Sequence, residues 1–374
     1  MGIAYPTQLY RKGEAVKELF AEFPGVVIHP VLPSPKSEGY RHKVQLPFGS
    51  YREGRGRKLT LGCYAENSHQ VVDQTECRIQ DPGLTAVAYA VRAWAQREQI
   101  PPYFEREGTG FLRHVLLRRG AATGEILLGL VTNGPKPPGT RNLAKGLLER
   151  CERALRDDPG QGHVVGIVQD VNTRDTNVVL GGHEEIWWGR DWLKEKLGDI
   201  VFHVGLSTFF QVNPFQTPRL YDIVASLLPE GCKCLDAYSG MGTIALWISK
   251  RCREVVAVEE NHAAVRAARL TAQHQGAKNV RVLQGDTAEV LPGLVQEGFD
   301  AAVVDPPRKG MDENSLNAIL DAGVKRLVYV SCNPETLARD AKLLAPKLRL
   351  RAVHPVDMFP HTFHVECVAL FTRD

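Results

Sequence analysis

The stretch Leu235-Asp236-Ala237-Tyr238-Ser239-Gly240-Met241-Gly242-Thr243 passes from an apolar segment through two glycines into residues of helical character, and its reading decides the fold. A strand is expected over 232–238 and a helix over 243–250. The glycines between them lack Cβ and let a ligand approach the backbone. Working outward, strands are expected over 255–259, 280–284, 301–305 and 327–331, with a helix closing near Gly276 and another starting at Pro334. Two more strands, over 348–353 and 365–371, complete the pattern. Such alternation predicts an α/β domain built on a doubly wound parallel sheet.

Residues 1–200 read differently, with short alternating segments at 41–46, 59–64 and 70–72 followed by mixed helices and strands. An α+β domain over 1–200 and a doubly wound domain over 201–374 are therefore expected. A chain of 374 residues with 43% hydrophobic content supports a core in each. No internal repeat is present, and Gly134 to Gly139 reads as a surface loop. The net charge is only +3, from 46 basic against 43 acidic residues, so any nucleic-acid signal must be local. One such signal is Lys36, Arg41, Lys43, Arg52, Arg55, Arg57 and Lys58 against Glu38 and Glu53, with Tyr40, Tyr51 and Tyr64 interleaved. These residues suit phosphates and stacked bases, and a solvated hairpin explains them equally well. No apolar run approaches the roughly 20 residues of a membrane span, and the opening residues have no leader character, so a soluble cytoplasmic protein without an obligate protein partner is expected. The 8 cysteines show no paired spacing and read as reduced thiols.

Glu259 ends a strand 19 positions after Gly240, where a carboxylate accepts both hydroxyls of a ribose; Asp286 follows the next strand. Gly240-Met241-Gly242-Thr243-Ile244-Ala245 also fits the relaxed dinucleotide pattern. The turn alone leaves open an adenosylmethionine site, a nicotinamide site or no ligand. Two later strand ends carry more. In Asp300-Ala301-Ala302-Val303-Val304-Asp305-Pro306-Pro307, prolines stop the ladder and hold Asp305 at the ligand edge of the sheet. In Val330-Ser331-Cys332-Asn333-Pro334, Asn333 is a helix N-cap and Pro334 a first helical residue, so Cys332 sits between a strand end and a helix amino terminus. The helix dipole is expected to lower the thiol pKa and favour the thiolate. An isolated cysteine is more often a small buried hydrophobe, but its place at this edge favours a nucleophile. A thiolate fits methylation of a pyrimidine carbon: adding to C6 of uracil, it makes C5 nucleophilic, and a base must then remove the C5 proton. Glu366, in Met358-Phe359-Pro360-His361-Thr362-Phe363-His364-Val365-Glu366, is the residue expected to do so. An exposed loop carboxylate is its plainer reading.

These segments resemble the RNA uracil-C5 methyltransferases that make 5-methyluridine in 23S ribosomal RNA and in transfer RNA. The resemblance covers nearly the whole chain and is carried by Phe209-Phe210-Gln211-Val212-Asn213-Pro214, Tyr238 to Gly242, Asp305-Pro306-Pro307-Arg308, Ser331 to Asp340, and Asp357 to Glu366. It implies a Rossmann-like class I methyltransferase domain after an α+β RNA-binding domain, with S-adenosylmethionine as cofactor and RNA as partner. It implies Cys332 as nucleophile and Glu366 as base, with Gln211, Tyr238, Gly240, Gly242, Thr243, Glu259, Asp286 and Asp305 lining the cofactor pocket. The Ser331 to Asp340 and Asp305 to Gly310 segments look most like the ribosomal enzymes, with transfer RNA the second choice. Many relatives add a TRAM domain and a [4Fe-4S] cluster held by four cysteines. Cys77 resembles one of those ligands, and the other three have no counterpart, so no metal site is assigned. Outside this family, a NAD-dependent oxidoreductase is supported only by the glycine turn and Glu259. A non-catalytic RNA-binding protein would require neither Cys332 nor Glu366.

Overall fold

The computed structural model describes residues 2–54, 56–74, 76–158 and 160–373. Arg55 of the basic segment lies outside the described residues. The chain forms two compact units, one made of residues up to Ser37 together with Phe209–Asp374, the other of Glu38–Thr208. This differs from the expected single boundary near residue 200, for two local reasons. Helix α1 (Tyr5–Leu19) is polar apart from a narrow stripe, and that stripe places Val16 and Phe20, both 0% exposed, in the core of the unit that holds the C-terminal sheet. Strand β1 (Val27–Ile28) then joins that sheet, with Val27 opposite Ala352. At the other end, Ile200–Gly205 folds back antiparallel on Trp192–Leu197 and so stays with the 38–208 unit.

The first unit carries β2 (Lys233–Ala237), β3 (Glu254–Glu259), β4 (Val280–Gln284), β5 (Ala301–Val304), β6 (Arg326–Ser331), β7 (Arg349–Val356) and β8 (Glu366–Thr372). Their order across the sheet is β1-β7-β8-β6-β5-β2-β3-β4. Neighbours among β2 to β6 pair in parallel, while β8 runs antiparallel to both β6 and β7. The central strands are buried on both faces, which explains the unbroken apolar runs Val255–Val258, Ala301–Val304 and Leu327–Val330. The helices are α2 (Thr217–Ser226), α3 (Thr243–Ile248), α4 (His262–His274), α5 (Thr287–Leu294), α6 (Glu313–Asp321) and α7 (Pro334–Leu344). Asn261, Asp286, Asp312 and Asn333 cap α4 to α7, each accepting a backbone N–H of the first turn. The chain moves from β2 to β3 and β4 on one side and to β5 and β6 on the other. That reversal opens a crevice at the carboxyl ends of β2 and β5, where ligands bind in such sheets.

The Glu38–Thr208 unit is α+β. Its seven-stranded sheet runs in the order 71–73, 56–64, 43–53, 112–119, 125–132, 163–171, 184–189, and only the 125–132/163–171 pair is parallel. Helices Pro82–Arg97 and Thr140–Ala154 pack Trp94 and Leu147, both fully buried, into its core. The basic segment does form a hairpin, with Tyr51 opposite Lys58 and Arg52 opposite Arg57. Its composition overstates the available surface, however, because Tyr40 is 0% exposed and Lys43 is sunk enough that burial, then Arg118, push its pKa down to about 8. Tyr51, Arg52, Arg57, Lys58 and Tyr64 remain exposed. Among the described residues no helix is long and apolar enough to cross a membrane.

Candidate active site

The glycine turn after β2 is built on positive φ angles at three alternate residues: Tyr238 at 62°, Gly240 at 55° and Gly242 at 75°. A side chain is tolerated there at a cost, and Tyr238 is held by packing against the core beneath the sheet. A Cβ on Gly240 would meet nothing within 4 Å, so the turn faces open space, whereas one on Gly242 would come 3.2 Å from Ala268 of α4. Gly240 is thus the cradle position and Gly242 the position where α3 meets α4. Thr243 opens α3 with its hydroxyl already engaged by the Tyr221 hydroxyl at 2.9 Å.

Glu259 ends β3 beside this turn. Its carboxylate accepts the Gly240 N–H at 2.9 Å and the Asn261 N–H at 2.8 Å, one on each oxygen. Each oxygen keeps a further lone pair. The sequence reading gave this carboxylate only a ribose to bind; the structure shows that it also ties the turn to the strand end. The Glu259 carbonyl accepts the Gly285 N–H, and Asp286 next to it accepts the Ala288 N–H as the cap of α5. Tyr238, Gly240, Glu259 and Asp286 therefore lie along consecutive strand ends at one edge of the sheet.

The second half of the site lies at the ends of β5, β6 and β8. The pairing of β6 with β8 places Ser331 opposite Cys367, so Cys332, the next residue, leaves β6 where Glu366 enters β8. The antiparallel direction of β8 makes this possible: its first residue, not its last, lies at the carboxyl edge. The Ser331 hydroxyl donates to the Asn333 carbonyl at 2.9 Å and accepts the Asn333 N–H at 3.1 Å, which fixes the bend at Cys332. Asn333 caps α7 and Pro334 opens it, as the sequence indicates.

The electrostatics correct one expectation. The Cys332 thiol is not lowered; burial, then Glu366 and Asp305, push it up to about 11. The dipole of α7 acts at a half-buried thiol flanked by two carboxyl groups, and desolvation and like charge dominate. Glu366 is no exposed loop carboxylate: it is 3% exposed, and burial followed by the Asp305 charge raises its pKa to about 8. Burial alone raises Asp305 to about 7. A residue that the sequence reading passed over completes the cluster. Asp236 of β2 is 0% exposed, and burial, then the Asp305 charge, push it well above the usual carboxylate range against the opposing pull of the Ala245 backbone N–H. The signal was present in the quoted stretch, where a lone acid interrupts an otherwise apolar strand.

A nest of desolvated acids has an identifiable complement. Each upward shift shrinks when a positive charge enters. An adenosylmethionine, with its sulfonium and ammonium, fits this nest; the doubly negative pyrophosphate of a dinucleotide does not. Cys77, which resembles one cluster ligand, is half-buried, and among the described residues no group of three or more His, Cys, Asp or Glu is placed to hold a metal ion.

The raised Glu366 gives a stability prediction. A carboxyl whose pKa is higher folded than unfolded stabilises the fold below its unfolded pKa, near 4.5, and that contribution is lost as pH rises through about 8. Glu366→Gln removes the ionisation. Its unfolding free energy should match the parent's at pH 4 and exceed it at pH 9, by an amount on the order of 2–4 kcal/mol. A gap between the two proteins that stays constant across thermal melts at both pH values would contradict the assignment.

Gln211 is half-buried within the 209–216 segment that leads into α2. That segment is anchored by Asn213, 0% exposed, whose side-chain amide donates to the Ser34 hydroxyl at 3.2 Å and to the Met358 carbonyl at 3.0 Å. Asn213 thereby joins the Gln211 segment to the loop that precedes Glu366. Nothing in the spacing of the sequence marked it for that part.

Comparison with known proteins places the chain in a family. Residues 183–374 match the sequence profile of the tRNA (Uracil-5-)-methyltransferase family. A Leptospira interrogans protein described as an uncharacterized RNA methyltransferase is 44% identical over 371 residues, covering 99% of this chain and 94% of its own. A Halalkalibacterium halodurans protein with the same description is 38% identical, covering 98% of this chain and 79% of its own. Among solved structures, the Pyrococcus abyssi tRNA (uracil-54, C5)-methyltransferase in complex with S-adenosyl-L-homocysteine superposes with a TM-score of 0.79 at 29% identity, covering 99% of this chain and 84% of that one. The chain belongs to the S-adenosylmethionine-dependent RNA uracil-C5 methyltransferases.

Proposed function

We propose that this enzyme methylates C5 of a uridine in 23S ribosomal RNA, with Cys332 as the covalent nucleophile and Glu366 as the base that takes the C5 proton. The observation that carries the reading is the convergence of Cys332 and Glu366 at one point of the sheet edge, fixed by the β6–β8 register. C5 of uracil is too weak a nucleophile to react unaided. Sγ of Cys332 gives up its thiol proton to solvent and forms a bond to C6; the C5–C6 π electrons shift toward O4, and the ring becomes an enolate whose electron density sits on C5. S-adenosylmethionine, when bound, supplies an electrophilic methyl group. Glu366 then removes the proton from C5, the electrons reform the C5–C6 double bond, and the bond from C6 to sulfur breaks. A base needs a pKa near working pH, and burial gives Glu366 one of about 8.

Gln211, Tyr238, Gly240, Gly242, Thr243, Glu259, Asp286 and Asp305 are the residues we assign to the cofactor. The uridine must leave its stack to expose C6 to sulfur, which favours loops and weakly paired sites. We assign the exposed Tyr51, Arg52, Arg57, Lys58 and Tyr64 of the 38–208 unit to phosphate and base contacts.

The ribosomal assignment rests on the likeness of the 305–310 and 331–340 segments to ribosomal enzymes. Transfer RNA is the second reading, favoured by the similarity to the Pyrococcus abyssi tRNA (uracil-54, C5)-methyltransferase. One experiment addresses both. Transcripts of 23S ribosomal RNA and of transfer RNA, each carrying 5-fluorouridine, are incubated with the enzyme and S-adenosylmethionine. Fluorine at C5 cannot leave as a proton, so the adduct persists, and a denaturant-stable complex is expected with the ribosomal transcript. Capture of transfer RNA alone moves the substrate to the second reading, and no covalent complex with either removes the mechanism.

A further inference from the structure

The base sits at the end of a loop whose shape is set from the opposite end of the sequence. β7 ends at Val356, β8 begins at Glu366, and these two residues are register partners, so residues 357–365 form the link between them. Inside the loop the bonds are local turns, among them Thr362 Oγ1 to the Phe359 carbonyl at 2.7 Å and the Phe359 N–H to Asp357 at 3.2 Å. Two side chains on successive turns of α1 hold it from outside. Lys12 Nζ donates to Asp357 Oδ1 at 2.7 Å and to the Phe359 carbonyl at 3.1 Å. Gln8 Oε1 accepts the His361 N–H at 2.9 Å, and its Nε2 lies 3.1 Å from Nδ1 of the same ring. His361 is one of the few non-glycine residues at positive φ, 64°, a conformation that persists when its surroundings fix it.

The burial of this clamp says it does more than cover a surface. Lys12 is 6% exposed and Asp357 0%, and burial pulls the lysine pKa down against the opposing pull of Asp357. A desolvated ion pair is weak evidence for stability, because apolar residues of the same shape often serve as well; what it supplies is a defined geometry. A general base needs that geometry, since misplacement by about 1 Å costs roughly 100-fold in rate.

We propose that Gln8 and Lys12 are positioning residues for Glu366: through His361, Phe359 and Asp357 they fix the 357–365 loop and so aim the carboxylate at the C5 proton. The inference rests on the reading of Glu366 as the base. It predicts a defect in one step only. Addition of Cys332 to uracil precedes any need for Glu366, so a loosened clamp leaves addition intact and slows release.

The test uses Gln8→Met, which keeps the length of the side chain and removes both bonds to His361, and Gln8→Glu, which keeps the acceptor for the His361 N–H. Asp357 keeps its Lys12 partner in both. With normal uridine RNA and S-adenosylmethionine, Gln8→Met is expected to lose about tenfold or more in kcat and to accumulate methylated covalent adduct. Its rate of complex formation with 5-fluorouridine RNA should stay within about twofold of the parent, a margin worth under 1 kcal/mol. Gln8→Glu is expected to recover most of the loss. Parental turnover in Gln8→Met, or a loss of turnover with no adduct, overturns the proposal. Glu366→Gln is run beside it: if that variant accumulates adduct and Gln8→Met does not, the clamp is wrong, and if neither does, the base is misassigned.

Discussion

Cys332→Ala is expected to reduce methyl transfer by about 10,000-fold or more, the scale on which an enzyme feels the loss of its covalent nucleophile. Without sulfur at the end of β6 no accessible thiol is left at this edge among the described residues: Cys367, opposite Ser331, is 0% exposed, and burial, then Glu366, push its thiol up. The neighbouring carboxyls do not replace it, since burial keeps Asp305 and Glu366 partly protonated near neutral pH, at about 7 and about 8. The variant should also form no complex with 5-fluorouridine RNA. Its fold should be unaffected, because the bend at position 332 is made by the Ser331–Asn333 hydrogen bonds and the Asn333 cap, not by the thiol. Binding of S-adenosylmethionine, followed by calorimetry, should match the parent. Turnover above about 1% of the parent would mean a barrier raised by less than about 2.7 kcal/mol, too little for a lost covalent pathway.

Glu366→Gln should fail later in the cycle. The amide keeps the size of the side chain and the pairing of β8 with Val356, but it cannot take a proton from carbon. Removing a general base typically costs about 100- to 10,000-fold. The difference from the cysteine variant lies in what accumulates. Enzyme bound to methylated RNA through Cys332 should survive denaturing electrophoresis and carry label from the methyl group. If RNA leaves this variant at the parental rate, another group removes the proton. The double variant Cys332→Ala, Glu366→Gln should show no adduct, which establishes the order of the two steps.

Much of this site was readable from the chain because a sheet buried on both faces writes itself as apolar words. Val255 to Val258, Ala301 to Val304 and Leu327 to Val330 are buried runs, each ending beside a residue that we assign to the site. What the sequence concealed depends on distant neighbours. The thiol of Cys332 was expected to be acidic from its helix, and the structure reverses the direction because Asp305 and Glu366 arrive from other strands. Helix α1 was assigned to the wrong unit because its buried stripe is short and its decisive residues, Gln8 and Lys12, are polar. Asn213 sat inside a quoted motif without a role until its bonds to Ser34 and Met358 were seen. The basic segment was overcounted because composition cannot tell the exposed Tyr51 from the buried Tyr40.

The lysine that grips Asp357 does so across 345 positions of sequence. On the ribosome, α1 emerges early and its partner very late, while residues 38–208 can close their own sheet largely from adjacent hairpins in the interval. Contacts of such long separation are slow to form, because a large loop must be closed before they contribute. The grip on the 357–365 loop therefore forms only after the intervening 38–208 unit has been made: a nascent chain can close that unit before it can hold in place the carboxylate we assign as the base.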